Sequence, residues 1–289
     1  MHIIISTKNL FVQSVRATFE DNVPQMAAAL SYYALFALPA ILMLTVQLLN
    51  MFLSTNTAQN ELVAALTHQF GDDVKIPITQ ILNQVTHPSS RNIGAQLLGF
   101  AALLIASTGV LGHIQRSLNV IWKLNHSRRA VRRIFEQRMW GIIFIVSSGF
   151  LIFVSMIISA IVRILYPYLT YTTAINVDVV KVLYGMLSWA LFTVIIAVIF
   201  RYIPSGKVAW RDIWVGALVT STLFSLGKYL VTTYLTYIAI GSAYGTAGSI
   251  ILLMFWIYYS ALIFFFGAEF THVYAHTHGK GIQTHTHAS

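Results

Sequence analysis

The stretch SIILLMFWIYYSALIFFFGAEF, residues 249–270, runs for twenty-two residues with a single charge, Glu269, close to its end. At about 1.5 Å of rise per helical residue, a run of this length crosses the roughly 30 Å hydrocarbon core of a bilayer. Working outward from it, comparable apolar runs lie near residues 26–51, 93–113, 139–165, 180–200 and 213–238, with this one filling 248–271. All six are expected to be helices, because lipid offers no partner for an unpaired backbone N–H or C=O. The alternating pattern of a lipid-facing barrel strand is absent. Composition agrees: 57% of the 289 residues are hydrophobic and 9% charged, with a mean hydropathy of +0.71, whereas a soluble domain carries about 25% charged residues.

The sequence therefore predicts an all-α integral membrane protein, a bundle of six transmembrane helices forming one domain over residues 26–272. Residues 1–25 precede it, with Phe11, Val15 and Phe19 at four-residue spacing, read either as a short amphipathic interfacial helix or as a lead-in to the first span that stops at Pro24. No cleaved signal peptide is expected. Between the first two spans, NELVAALTHQF and IPITQILNQV, split by Gly71, Asp72 and Asp73, predict a small extracytoplasmic helical hairpin within residues 54–92. Residues 273–289 read as a flexible, His-rich cytoplasmic tail.

Orientation follows from the basic residues. Arg116, Lys123, Arg128, Arg129, Arg132, Arg133 and Arg138 lie between spans two and three, and Arg201, Lys207 and Arg211 between spans four and five. Far fewer lie on the opposite side, so the positive-inside rule puts both termini in the cytoplasm. The net charge of +9 raises the question of nucleic acid. SRRAVRRIFEQR, however, directly joins two spans, and contact of Arg128, Arg129, Arg132 and Arg133 with anionic headgroups accounts for it. With no cysteine in the chain, disulfides, thiolate metal sites and cysteine nucleophiles are excluded. The tail histidines have no carboxylate or thiolate beside them after Glu269, and no metal or cofactor is expected.

Within the apolar runs a few residues stand out. Lys228, in FSLGKYLVTTYL (224–235), places an ammonium roughly 24 Å up span five from Asp212. An ammonium there costs about 2.5–3.5 kcal/mol if it is central, and less if it snorkels. Two readings stay open: snorkelling to the outer headgroups, or lining a polar cavity suited to a phosphate or carboxylate. Glu269 lies at the opposite end of its span, too far in depth to pair with Lys228. Pro39 is expected to kink span one, and Gly227, Gly241, Gly245 and Gly248 to let the tops of spans five and six approach closely.

Four stretches together resemble one family: AAALSYYALFALPAIL, GVLGHIQRSLNVIWKL, FRYIPSGKVAWRDIWVGALVTSTLFSLGKYL and YGTAGSIILLMFWIYYSALIFFFGAEF. In order and spacing they are similar to the YihY/BrkB family of bacterial inner-membrane proteins, formerly labelled ribonuclease BN, over roughly residues 10–272. The resemblance implies a six-span bundle in the bacterial cytoplasmic membrane and a link to envelope or lipid traffic, without an agreed activity. It marks Tyr33, Asn119, Trp122, Arg201, Pro204, Trp210, Arg211, Asp212, Gly227, Lys228, Gly245, Gly267 and Glu269. One departure is Ser225, where many relatives carry a glutamate, so Lys228 lacks that partner in its own helix.

Three functions compete. A transporter or flippase of an anionic lipid or envelope precursor would use Lys228 as anion contact, with Glu269 and Arg211 or Arg201 as an inner gate or proton site, and Tyr33 and Asp212 in the polar core. A non-catalytic scaffold of an envelope complex would use the outer hairpin. A ribonuclease needs clustered metal ligands that the nine scattered acidic residues do not supply, so the chain is expected not to be an enzyme.

Overall fold

The computed structural model describes residues 7–50, 54–70, 75–86, 109–124, 177–206, 208–237 and 246–278. They form α1 (Thr7–Glu20), α2 (Val23–Leu49), α3 (Thr55–Phe70), α4 (Lys75–Thr86), a helix over residues 109–121 (α5), α6 (Val177–Tyr202), α7 (Trp210–Tyr237) and α8 (Thr246–His278). No strand occurs among the described residues. The described residues are all helical, as expected of an α-helical membrane protein. By length and hydropathy α6, α7 and α8 each suffice to cross a bilayer, and α2 does so if its two halves, bent by 41° beside Pro39, count as one span. A proline within a helix removes a backbone hydrogen bond and crowds the preceding turn, which is the cause of the expected kink. The span expected near 139–165 lies outside the described residues, as does that near 93–113 apart from its last five positions.

The last helix is the hub, packing against α1, α2, α4 and α7, while α6 packs on α7. Two apolar clusters run along it. One joins Val23, Ala27 and Leu30 of α2 with Phe265 and Ala268 of α8 and with Leu118 and Trp122. The other joins Leu42, Val46 and Leu49 of α2 with Leu253 and Trp256 of α8 and with Ala58, Leu62, Ile78 and Leu82 of the α3–α4 pair. The start of α2 thus meets the end of α8, and the end of α2 its start: the two are antiparallel. Between α3 and α4, residues 71–74 lie outside the described residues; the two helices pack as the expected hairpin at one end of the bundle. At the other end, α1 lies on the C-terminal part of α8, with Phe11 and Phe266 in edge contact at 5.5 Å. Both ends of the described chain therefore share one end of the bundle.

Pro24 does not close α1. That helix ends at Glu20 and the chain turns at Asn22, which takes a left-handed φ of 55°, a conformation asparagine tolerates better than most residues. The Asn22 carbonyl then accepts from Met26, opening α2 with Pro24 in its first turn, where a missing N–H costs little. Leu10, Ser14 and Thr18 face inward from α1, Val12 and Phe19 point outward, and Phe11 lies at the edge of the interface against Phe266. At the other terminus, α8 continues past residue 272 to His278, since neither glycine nor proline interrupts the chain before Gly279.

Leu62 is fully buried in the hairpin core. Leu62→Ala is expected to cost about 2–5 kcal/mol. Hydrogen–deuterium exchange should rise in α3 and α4 well before it rises in α7 and α8.

Candidate functional site

The sequence GALVT (216–220) on α7 and GAEFT (267–271) on α8 share one pattern. A Cβ placed on Gly216 would fall 1.7 Å from Thr271 Oγ1, and one on Gly267 would fall 1.8 Å from Thr220 Oγ1. Each glycine thus receives the threonine of the opposite helix. Each threonine hydroxyl donates to the carbonyl of the glycine one turn earlier in its own helix, Thr220 to Gly216 and Thr271 to Gly267, both at 2.7 Å. Small residues bring the backbones together and the polar atoms are satisfied locally, as apolar surroundings require. Farther along, Tyr259 of α8 closes over Gly227 of α7. Because numbers fall along α8 as they rise along α7, the helices run antiparallel in a fixed register.

Lys228 follows the glycine that Tyr259 covers. It is half-buried and continues the inward row Ala217, Ser221 and Phe224, the last of which packs its ring on Phe192 of α6 at 4.7 Å. Its neighbours point the other way: Leu226 is 60% exposed, Tyr229 75% and Leu230 64%. The register puts Lys228 near the level of Tyr259, ten residues or about 15 Å along α8 from Glu269. The two charges stand at different depths.

Glu269 sits at the end of the bundle that holds α1. It is 0% exposed, and among the described residues no hydrogen-bond donor reaches either carboxylate oxygen. The charged groups that face it are Asp21 and Glu20, from the end of α1 and its turn into α2, and Lys123. Lys123 is held there by backbone geometry. At a φ of 51° it ends α5 in a reverse turn in which Leu124 N–H bonds the Asn119 carbonyl and Lys123 N–H that of Val120. The preceding Trp122 is buried and donates Nε1–H to the Ala268 carbonyl at 3.0 Å, tying this corner to α8 beside Glu269.

The same corner grips the α6–α7 connection. Asn119 donates to Ser205 Oγ at 3.1 Å and accepts from Ser205 N–H at 2.9 Å, and Gln115 donates to the Ile203 carbonyl. Across that connection Arg201 donates to the Val208 carbonyl and lies 5.7 Å from the centre of the Trp210 ring. Arg201 and Arg211 are thus not the charges facing Glu269; Arg211 is exposed. Asp212 is 3% exposed in the first turn of α7, where helix N–H groups favour a carboxylate. Tyr33 packs on Gly109 and beside the His113 ring, and His113 bonds the Met26 carbonyl through Nε2 at 2.9 Å. Gly248 lies in the first turn of α8, whereas Gly241, Gly245, Arg128, Arg129, Arg132 and Arg133 lie outside the described residues. Among the described residues no cluster of three or more histidine, aspartate or glutamate side chains forms a metal site.

A sequence model described as "Virulence factor BrkB" matches residues 14–289. The chain belongs to this family. Its relatives include a "UPF0761 membrane protein" of Ralstonia nicotianae, 26% identical over 88% of this chain and 56% of that protein, and one of Janthinobacterium, 27% identical over 91% and 59%. A third, from Haemophilus influenzae, is 24% identical over 92% of this chain and 95% of that protein. The chain therefore spans less than two thirds of the length of the first two and nearly all of the third. No solved structure matches.

Sequence reasoning marked Gly267 and Glu269 but missed Gly216, Thr220, Thr271 and Asp21. The repeated Gly-Ala-x-x-Thr was the available signal for the first three; Asp21 becomes relevant only once α1 is folded onto α8. Gly216→Ala is expected to lower stability by about 1–3 kcal/mol through overpacking. The exchange Gly216→Ala with Thr271→Gly should recover most of the loss, read as thermal unfolding in detergent.

Proposed function

We propose that this chain is a bacterial inner-membrane transporter or flippase for an anionic lipid or phosphorylated envelope precursor, with Lys228 as the anion contact. The observation that carries this reading is the placement of Lys228: half-buried on the inward row of α7, toward α6, among neighbours that point outward. An ammonium in an apolar helix is retained at a cost, and one turned toward other helices suits a ligand's negative charge better than it suits outer headgroups. Membership of a family of membrane proteins fits the setting. In this reading all six expected spans form, and both termini face the cytoplasm. The shared end of α1 and the C-terminal part of α8 is consistent with that, as is the crowding of basic residues in the segments assigned to that side. Anionic headgroups meet Arg128, Arg129, Arg132 and Arg133 there, and the protein acts without catalysis.

Mass spectrometry of lipids and metabolites co-purifying in native-lipid discs tests the proposal. An anionic lipid or phosphorylated precursor enriched with wild type should fall at least tenfold with Lys228→Met. Identical profiles would overturn the assignment of Lys228. A stoichiometric protein partner crosslinked through α3 and α4 would then favour a scaffold.

A further inference from the structure

We propose that Glu269 and Asp21 form a proton-binding site, and that the proton they share latches the turn between α1 and α2 onto α8. The inference goes beyond transport of a cargo and does not depend on it.

Three observations carry it. Glu269 is fully buried, and among the described residues neither of its oxygens receives a hydrogen bond. A buried carboxylate without donors carries the penalty of an unpaired buried charge. The group within hydrogen-bonding reach is the carboxyl of Asp21, which offers a donor only when one of the two carries a proton. One proton therefore satisfies both side chains, giving an O–H donor on one and an acceptor on the other.

The second observation is how Asp21 is aimed. It occupies the two-residue turn between α1 and α2, where Asn22 takes a φ of 55° and Asp21 N–H bonds the Ala17 carbonyl at 2.9 Å. The third is the surface behind it: α1 lies along α8 with Ser14 and Thr18 buried and their hydroxyls spent on carbonyls of their own helix, Leu10 and Ser14. That interface is held by close packing and the Phe11–Phe266 contact, with no interhelical ion pair among the described residues. The carboxyl pair is its most polar element.

The other groups around the pair are named by the same geometry. Glu20 faces it from the end of α1, Lys123 from the α5 corner, and His272 lies one turn along α8, where Lys123 and His276 face it. From α7 this stretch of α8 meets Gly216 and Thr220, which do not titrate. Loss of the shared proton leaves two carboxylates in contact with Glu20 close by and one lysine opposite. Repulsion then acts on the α1–α2 turn, where α1 ends at Glu20 and the chain reverses at Asn22.

The chain has no cysteine, so spin labels at Val12→Cys and Thr277→Cys report the α1–α8 distance in the full chain in lipid discs without background. The wild-type distance should be short at low pH and lengthen through one transition as pH rises. With Glu269→Gln, whose amide donates to Asp21 permanently, it should stay short throughout. In parallel, infrared pH-difference spectra should show a carboxylic-acid C=O band in wild type that is lost with Glu269→Gln and shifted with Asp21→Asn. A wild-type distance that ignores pH would overturn the latch. A band that survives Glu269→Gln, or that does not move with Asp21→Asn, would overturn the shared-proton site.

Discussion

The close approach of α7 and α8 is the constraint on which the rest of the structure depends. A threonine on each helix fills the space above a glycine on the other, so a side chain at Gly216 or Gly267 has nowhere to go. In apolar surroundings there is little hydrophobic drive between helices, and packing of small residues carries the association. Once these two helices are locked, α8 presents its remaining faces to α1, α2 and α4, and α7 presents its other side to α6. The depth of Lys228 and that of Glu269 follow from this register.

The interior also separates two kinds of polar group. Hydroxyls are numerous and self-contained: Ser14, Thr18, Thr45, Thr193, Thr220, Ser221 and Thr271 are buried, and each donates to a carbonyl four residues earlier. They permit tight packing and ask nothing of neighbouring helices. Charges are few and depend on what surrounds them. Lys228 stands toward the far part of α7, and Glu269 at the end where α1, the α5 corner and the α6–α7 connection converge. That division assigns packing to the hydroxyls and makes Lys228 and Glu269, among the described residues, places where a ligand or a proton changes the energy of the bundle.

Much of the fold was legible because a run such as 249–270 admits few structures. The apolar helices α2, α6, α7 and α8, the kink and the hairpin all follow from local pattern: apolar length, a proline inside a helix, and two amphipathic pieces split by Gly71, Asp72 and Asp73. The end of α1 was less legible, because Pro24 reads as a stop, whereas Asn22 makes the turn and Pro24 sits in the tolerant first turn of α2. The resemblance marked Asn119, Trp122 and Glu269, but the contacts that join them into a cluster were not legible. Trp122 reaches Ala268 across 146 residues, and Asn119 reaches Ser205 across 86. Such contacts carry no local signature. The Gly-Ala-x-x-Thr pair lies between these cases, written twice in the sequence but meaningful only when an antiparallel register brings the copies together.

The most direct test of the account is aqueous accessibility along α7, read with single cysteines at positions 226, 228, 229 and 230 and a membrane-impermeant charged thiol reagent in native membranes. Reaction requires the thiolate and hence water. The account predicts that a cysteine at 228 reacts while those at 226, 229 and 230, on the outward face, do not. An inert 228 beside reactive outward positions would contradict it and return Lys228 to the headgroup region.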